Sequence, residues 1–420
     1  VVDWNNTSGF GKDGQPPVVA IFTYHDMAAE KAGRTDYQSQ GIAYSNDKGR
    51  TWAKYAGNPV IPNPQKIKDF RDPKVIWHEA SSQWAMALAV ADHVQFWGSK
   101  DLKNWAFLSD FGKEQGAHGG VWECPDLFPL KVENSDETKW VLLLSINPGG
   151  PNGGSATQYF VGDFDGKNFT LDDSFAPSVQ GEKAVWLDCG RDNYAGVTWS
   201  DIPKEDGRRL FMGWMSNWDY ATVVPTLAWR SAMTLPRALT LQKTSAGYRL
   251  FSLPVKELQM LRTASHKIEN QEIAGEIDLT KRLEFPPAQM ELTLEIELAE
   301  ASPANFGIEL SNAKGEKYRI GYDAAANKFY SDRTQAGEGA FSKKFAEKIH
   351  TAPRLSTDKT LRLHLFFDVA SAELFADDGA TAVTDIFFPS EVFSTVKIYA
   401  EKGKVKLSKG EAYSLKSIWR

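Results

Sequence analysis

The sequence predicts an all-β fold in two parts, a β-propeller followed by a β-sandwich. Three observations point there: a hairpin pattern used three times, an Asp-rich turn that recurs between the copies, and a change past about residue 250 to a plain run of alternating strands.

The hairpin copies are FRDPKVIWHEASSQWAMALAV from Phe70, WECPDLFPLKVENSDETKWVLLLSI from Trp122 and LDCGRDNYAGVTWSDIPKEDGRRLFMGWMS from Leu187. Each joins an acidic residue (Asp72, Glu123, Asp192), a short strand, a polar turn and a second strand rich in aromatic and aliphatic residues. Between them YSNDKGRTW, GSKDLKNW and GDFDGKNF deliver Trp52, Trp105 and Phe169, spaced 53 and 64 residues apart. Short strands repeating at that interval are the mark of four-stranded propeller blades. Residues 1 to about 245 hold roughly three and a half such units, fewer than the four that closure needs. LPVKELQMLR then reads as a linker with one helical turn. Beyond it MELTLEIEL, NFGIELS, EKYRIGYDAAANKFYSDR and STVKIYAEKGKVKLSKGEAYSL alternate apolar and polar residues, as antiparallel strands of a two-sheet sandwich do. The expected boundaries are residues 1–250 for the propeller, 251–264 for the linker and 265–420 for the sandwich.

A chain of 420 residues that is 42% hydrophobic and 12% aromatic can bury a large core, and its 14 Trp residues offer packing between strands or stacking faces for a ring-shaped ligand. The net charge of −6, with Lys and Arg scattered, leaves no basic field for nucleic acid or an anionic membrane. No apolar run reaches the roughly 18 residues of a membrane helix. Cys124 and Cys189 allow at most one disulfide, with packing as the plainer role. The histidines lie scattered, so no metal is expected, and NPGGPNGGS lacks the continuation of a phosphate-binding loop, so no cofactor is expected either.

The innermost strand of each propeller blade lines a central axis, so acidic residues at matching places in successive blades converge on one funnel. Asp72, Glu123 and Asp192 are expected to meet in this way. Carboxylates held together repel, and one of them keeps its proton near neutral pH, the combination that glycosidic bond cleavage requires. Glu123 is expected to be that acid, its hydration restricted by Trp122, Cys124 and Pro125, while Asp72 beside Arg71 stays ionised. The competing reading is that three acidic residues at strand starts merely end strands or accept backbone hydrogen bonds. Trp214, Asn217 and Trp218 in GWMSNWDY, with Trp229 and Arg230 after them, supply indole faces for a sugar ring and polar groups for its hydroxyls.

Together FRDP, WECPD, DCGRDNYAG, SNW and AWRSAM resemble the invertase, inulinase and levanase family, glycoside hydrolase family 32. That resemblance implies a five-bladed propeller and a β-sandwich, and release of terminal β-D-fructofuranosyl residues from levan, inulin or sucrose by a monomer or homodimer, secreted or extracytoplasmic with the cytoplasm as the alternative. It also implies roles. Glu123 matches the general acid/base and Asp72 the transition-state stabiliser. Arg71, Asp192, Tyr194, Asn217, Trp218, Trp229 and Trp122 fall in the substrate-binding set. The family's nucleophile is the Asp of a WMNDPNG-like motif in the first blade, and no such motif occurs in these residues. The expectation is therefore a propeller lacking its first blade and part of its second, inactive alone and completed by a segment outside it. A fructan-binding homologue that does not cut, and a fructosyltransferase, are the alternatives.

Overall fold

A computed structural model describes residues 1–298 and 305–419; residues 299–304 and 420, within the expected sandwich, lie outside the described residues. The first part is built from four separate antiparallel sheets. The first holds β1 (Val18–His25), β2 (Gln38–Ser45) and β3 (Ala53–Lys54), with the five-residue helix α1 (Met27–Lys31) between β1 and β2. The second holds β4 (Phe70–His78), β5 (Gln83–Val90), β6 (His93–Ser99) and β7 (Trp105–Phe111), and the third β8 (Val121–Lys131), β9 (Thr138–Asn147), β10 (Ala156–Phe164) and β11 (Phe169–Leu171). The fourth holds β12 (Tyr194–Thr198), β13 (Arg209–Met215), β14 (Ala232–Met233), β15 (Arg237–Thr244) and β16 (Gly247–Pro254).

The repeated hairpins are β4–β5, β8–β9 and β12–β13. The recurrent turns join the two outer strands of the first three sheets, and one Asp organises each. Asp101 accepts from the amides of Lys103 and Asn104 at 3.0 and 2.8 Å, Asp165 from those of Lys167 and Asn168, and Asp47 from that of Thr51. An Asp carboxylate that bonds backbone two to four residues on mimics a turn hydrogen bond, which is why this residue type recurs there. Strand period does the packing. In β5, Trp84, Met86 and Leu88 enter a core shared with the first sheet, whereas Ala85 and Ala87 face a second core shared with the third and fourth sheets. Both faces are buried, so QWAMALAV carries no polar alternation after its first residue.

The 3₁₀ turn Lys256–Leu261 leads into the second part. Its strands are β17 (Arg262–Ile268), β18 (Gln271–Asp278), β19 (Met290–Glu297), β20 (Asn305–Ser311), β21 (Lys317–Asp323) and β22 (Lys328–Gln335). They continue with β23 (His350–Pro353), β24 (Thr360–Asp368), β25 (Ser371–Ala376), β26 (Thr381–Ile386) and β27 (Thr395–Leu415). The expected two sheets are one hydrogen-bonded sheet bent about β27. The first half of that 21-residue strand pairs with β18 and β20, its second half with β17 and β19, and register shifts fall between. The wings β20–β23 and β19–β24–β25–β26 close over a single apolar core. Bulges let a long strand change direction and serve both layers.

Candidate active site

β4, β8 and β12 carry the same irregularity at the same place. Each contains one extra residue against its partner strand, between Arg71 and Lys74, Glu123 and Asp126, and Tyr194 and Val197. In each bulge the second residue has left-handed backbone: Asp72 at φ 60°, Cys124 at 49° and Ala195 at 51°. The third residue is Pro73, Pro125 or Gly196. Proline has no N–H to leave unpaired where a ladder breaks, so RDP, ECP and YAG are three copies of one backbone device. Matched by bulge, Arg71, Glu123 and Tyr194 are equivalent positions in successive sheets.

Those three side chains meet. The Arg71 guanidinium donates from Nη2 to Glu123 Oε1 at 2.9 Å and from Nη1 to Asp69 Oδ1 at 2.6 Å, and the Tyr194 hydroxyl donates to the other Glu123 oxygen. Asp72 Oδ2 accepts from the Cys124 amide at 3.0 Å and stands 3.9 Å from Arg71 Nε. The Asp72 amide donates to Thr23 Oγ1 of β1 at 3.2 Å, so all four sheets contribute to the cluster. Side-chain exposures of 30% for Asp72 and 20% for Glu123 leave both carboxylates reachable from solvent.

Burial pushes the Asp72 carboxyl above the usual carboxylate range; the Cys124 amide and Arg71 oppose the shift, and the Glu123 charge reinforces it. Desolvation outweighs the nearby guanidinium, whose hydrogen bonds go to Asp69 and Glu123. Burial also raises the Tyr194 hydroxyl, helped by the adjacent Glu123, so it serves as a hydrogen-bond donor. The Cys124 thiol is raised by burial and by Asp72. It is a free cysteine, as is Cys189.

The other expected site residues separate. Trp122 points to the opposite face of β8 from Glu123, fully buried, with its indole N–H on the Ala117 carbonyl at 2.9 Å; it does not dehydrate Glu123. Asp192 does not join Asp72 and Glu123. Its side chain is fully buried against Arg333 of the second part, with Nη1 at 2.7 Å from Oδ2. The alignment that paired Asp192 with Glu123 was two residues out of register, since Tyr194 holds the matching bulge position. The YAG that follows it, read beside RDP and ECP, was the signal. Asn217 is also buried, spending its amide on the Arg191 and Ser155 carbonyls at 2.8 and 3.2 Å. Trp218 is half exposed and packs on Trp214, which in turn packs on Tyr194, so an aromatic row runs outward from Glu123. Trp229 is half exposed, while the neighbouring Arg230 holds the loop carbonyls of Thr222 and Thr226. Asp69 was missed because no motif marked it, although it stands only two residues before Arg71 and bonds it locally.

Among the described residues no group of three or more His, Cys, Asp or Glu side chains is arranged to hold a metal ion, and no helix is long and apolar enough to cross a membrane. A cavity of about 780 Å³ lies elsewhere, lined by Val1, Val2 and Trp4 on one side and by Ser200, Asp201 and Arg209 on the other. Its size does not make it the site: its floor is the later, mostly apolar half of β4 and β8, and none of the four clustered polar side chains lines it.

Comparison with known proteins gives two family matches. Residues 2–254 match the glycosyl hydrolases family 32 N-terminal domain, and residues 257–414 match the family 32 C-terminal region. A levanase of Bacillus subtilis is 44% identical over 420 residues, covering 100% of this chain and 60% of the levanase, so the chain spans less than two thirds of that relative. An extracellular exo-inulinase of Aspergillus niger is 36% identical over 443 residues, covering 100% of this chain and 80% of the relative. The crystal structure of exo-inulinase from Aspergillus awamori superimposes with a TM-score of 0.88 at 33% identity, covering 100% of this chain and 83% of that one.

Proposed function

The chain belongs to glycosyl hydrolase family 32, and from that premise we propose that the protein releases terminal β-D-fructofuranosyl residues from levan, inulin or sucrose with retention of configuration. The observation that carries the reading is the Glu123 carboxyl, with one oxygen on Arg71 and the other on Tyr194, beside the half-buried Asp72. Two donors, one on each oxygen, fix the orientation of a carboxyl that stays open to solvent.

In this reading Glu123 protonates the glycosidic oxygen as the bond to fructose C2 breaks, and then takes the proton of the water that releases the sugar. Asp72 accepts from sugar hydroxyls and gains strength as positive charge develops at the ring. Trp218, with Trp214 behind it, offers an indole face to the leaving sugar, and Trp229 extends that surface. The reading also needs a carboxylate nucleophile on the side of the sugar opposite Glu123. Asp3 does not fill that place, because it is buried and its oxygens accept from Thr7 and Ser8 at 2.7 to 3.0 Å.

We read the four sheets as blades of a five-bladed propeller, the cavity between the N-terminal residues and the fourth sheet marking where the circuit is open. A sheet closing that gap would face Glu123 and carry the nucleophile. The boundary between propeller and sandwich is put at Val255–Leu261, narrower than residues 251–264, because β16 runs to Pro254 and β17 starts at Arg262. Action outside the cell fits the extracellular exo-inulinase among the relatives.

The test is fructose release from levan, inulin and sucrose by the whole protein. Glu123→Ala is expected to lower kcat on these by about 10²–10⁴-fold, and on an aryl fructoside with a good leaving group far less. Equal losses on both classes would remove the acid role, and binding of fructan with no fructose released would remove the hydrolytic reading.

A further inference from the structure

Leu187–Asn193 sews the two parts of the chain together two residues before the site begins. The Cys189 amide donates to the Ala382 carbonyl at 2.8 Å and the Asp192 amide to that of Thr384 at 3.0 Å, so the segment lies along the free edge of β26. The Ile386 amide answers by donating to Asp192 Oδ2 at 3.0 Å. Arg333, on β22, donates to the same oxygen and through Nη2 to the Tyr220 hydroxyl at 2.9 Å, while Tyr220 donates to Asp192 Oδ1 at 2.7 Å. Both Asp192 and Arg333 have side chains wholly excluded from solvent.

A buried ion pair is weak as a source of stability, since desolvation of two charges offsets most of their attraction, but breaking it strands an unpaired charge, so it favours the one arrangement in which both partners are satisfied. The arrangement enforced here is that of Tyr194. Tyr194 follows the Asp192 anchor by two residues and immediately precedes the left-handed Ala195 of the bulge, its ring packs on Trp214, and its hydroxyl ends on the Glu123 carboxyl. Neither anchor touches substrate in the reading above. We propose that Arg333 of the second part is a positioning residue that, through Asp192, holds the Tyr194 hydroxyl on Glu123. The sandwich thereby sets the geometry of the acid in the propeller, an inference that rests on the proposed role of Glu123.

The experiment places 3-fluorotyrosine at position 194 of the whole protein and follows its ¹⁹F resonance in Arg333→Met, and in the gentler Asp192→Asn, which keeps shape but breaks the charge pair. Thermal melting first establishes that the variant is folded. The expected result is a ¹⁹F resonance displaced from its parent position in both variants and returned toward it in Arg333→Lys. With it, kcat on levan should fall about tenfold while KM stays within twofold, because a misplaced acid costs turnover and leaves sugar binding intact. Cooperatively melting variants whose resonance stays where the parent's is would overturn the positioning role. If the parent releases no fructose, the hydrolytic reading falls, and the fluorine resonance still decides whether Arg333 positions Tyr194.

Discussion

Asp72 combines a largely desolvated carboxyl with left-handed backbone. Asn tolerates that backbone as well as Asp does and carries no charge to desolvate. Because the folded-state pKa is raised, the native chain holds this proton more tightly than the unfolded one. Stability is therefore lost as pH rises from about 4, the unfolded value, through the raised native value, and the deficit persists above it. Asp72→Asn removes the deficit. It is expected to raise the Tm more at pH 7 than at pH 3.5 while cutting fructose release by about 10²-fold or more; equal gains at the two pH values would show that burial of the charge is not the cause. Gly190 offers a second test at this scale. A Cβ there would stand 2.1 Å from the Thr384 carbonyl oxygen and 2.3 Å from its amide nitrogen, both rigid backbone. Gly190→Ala is expected to lower stability by about 1–3 kcal/mol in chemical denaturation.

The element that organises the site is the bulge, since it turns one side chain of each inner strand toward its counterparts in the neighbouring sheets. Ala195 occupies the strained position in the third copy, where a left-handed L-residue costs about 1–2 kcal/mol. Glycine would relieve that cost and lose about 0.4–1 kcal/mol through the greater freedom of the unfolded chain. Ala195→Gly is accordingly expected to leave turnover near the parent value and to leave stability unchanged or raised by up to about 1.6 kcal/mol. Ala195→Val, β-branched where φ is positive, should lose roughly 1–2 kcal/mol and shift Tyr194 off Glu123. Denaturation curves and kcat on levan measure the two effects together. A valine variant of parental stability would show that the third bulge is not strained.

At the scale of the molecule, the two parts share buried charge. Arg237 of β15 is held between Asp188 at 2.8 Å and Glu373 of β25 at 2.7 Å, with exposures of 4% or less throughout. Removing one member of such a set strands the others without a partner, a cost of about 3–5 kcal/mol. Arg237→Met is expected to lose that much and to split a single calorimetric unfolding transition into two, as the sandwich is released from the fourth sheet. One unchanged transition would mean that apolar packing alone couples the two parts.

The alternating strands and the Asp turns were legible in the residues because each rests on contacts within one hairpin or turn, whereas RDP and ECP were legible as paired motifs through their resemblance to the family. Period two decides which face is buried, Asp bonds backbone two to four residues on, and proline marks the place where a ladder breaks. The aromatic row from Trp218 toward Tyr194 was legible only in part, since exposure cannot be read from residue type. The place of Asp192, the facing of Trp122 and the partnership of Arg71 with Glu123 were decided by the tertiary structure. Whether an acidic residue meets solvent or a buried arginine depends on what another part of the chain, 141 positions away for Arg333, sets against it. Sequence by itself determined the strands, their repeated hairpins and the turns between them. Only the packing of the sandwich against the fourth sheet decided which neighbouring charge faces the site and which one locks the two parts together, because desolvation and ion pairing are properties of distance in space.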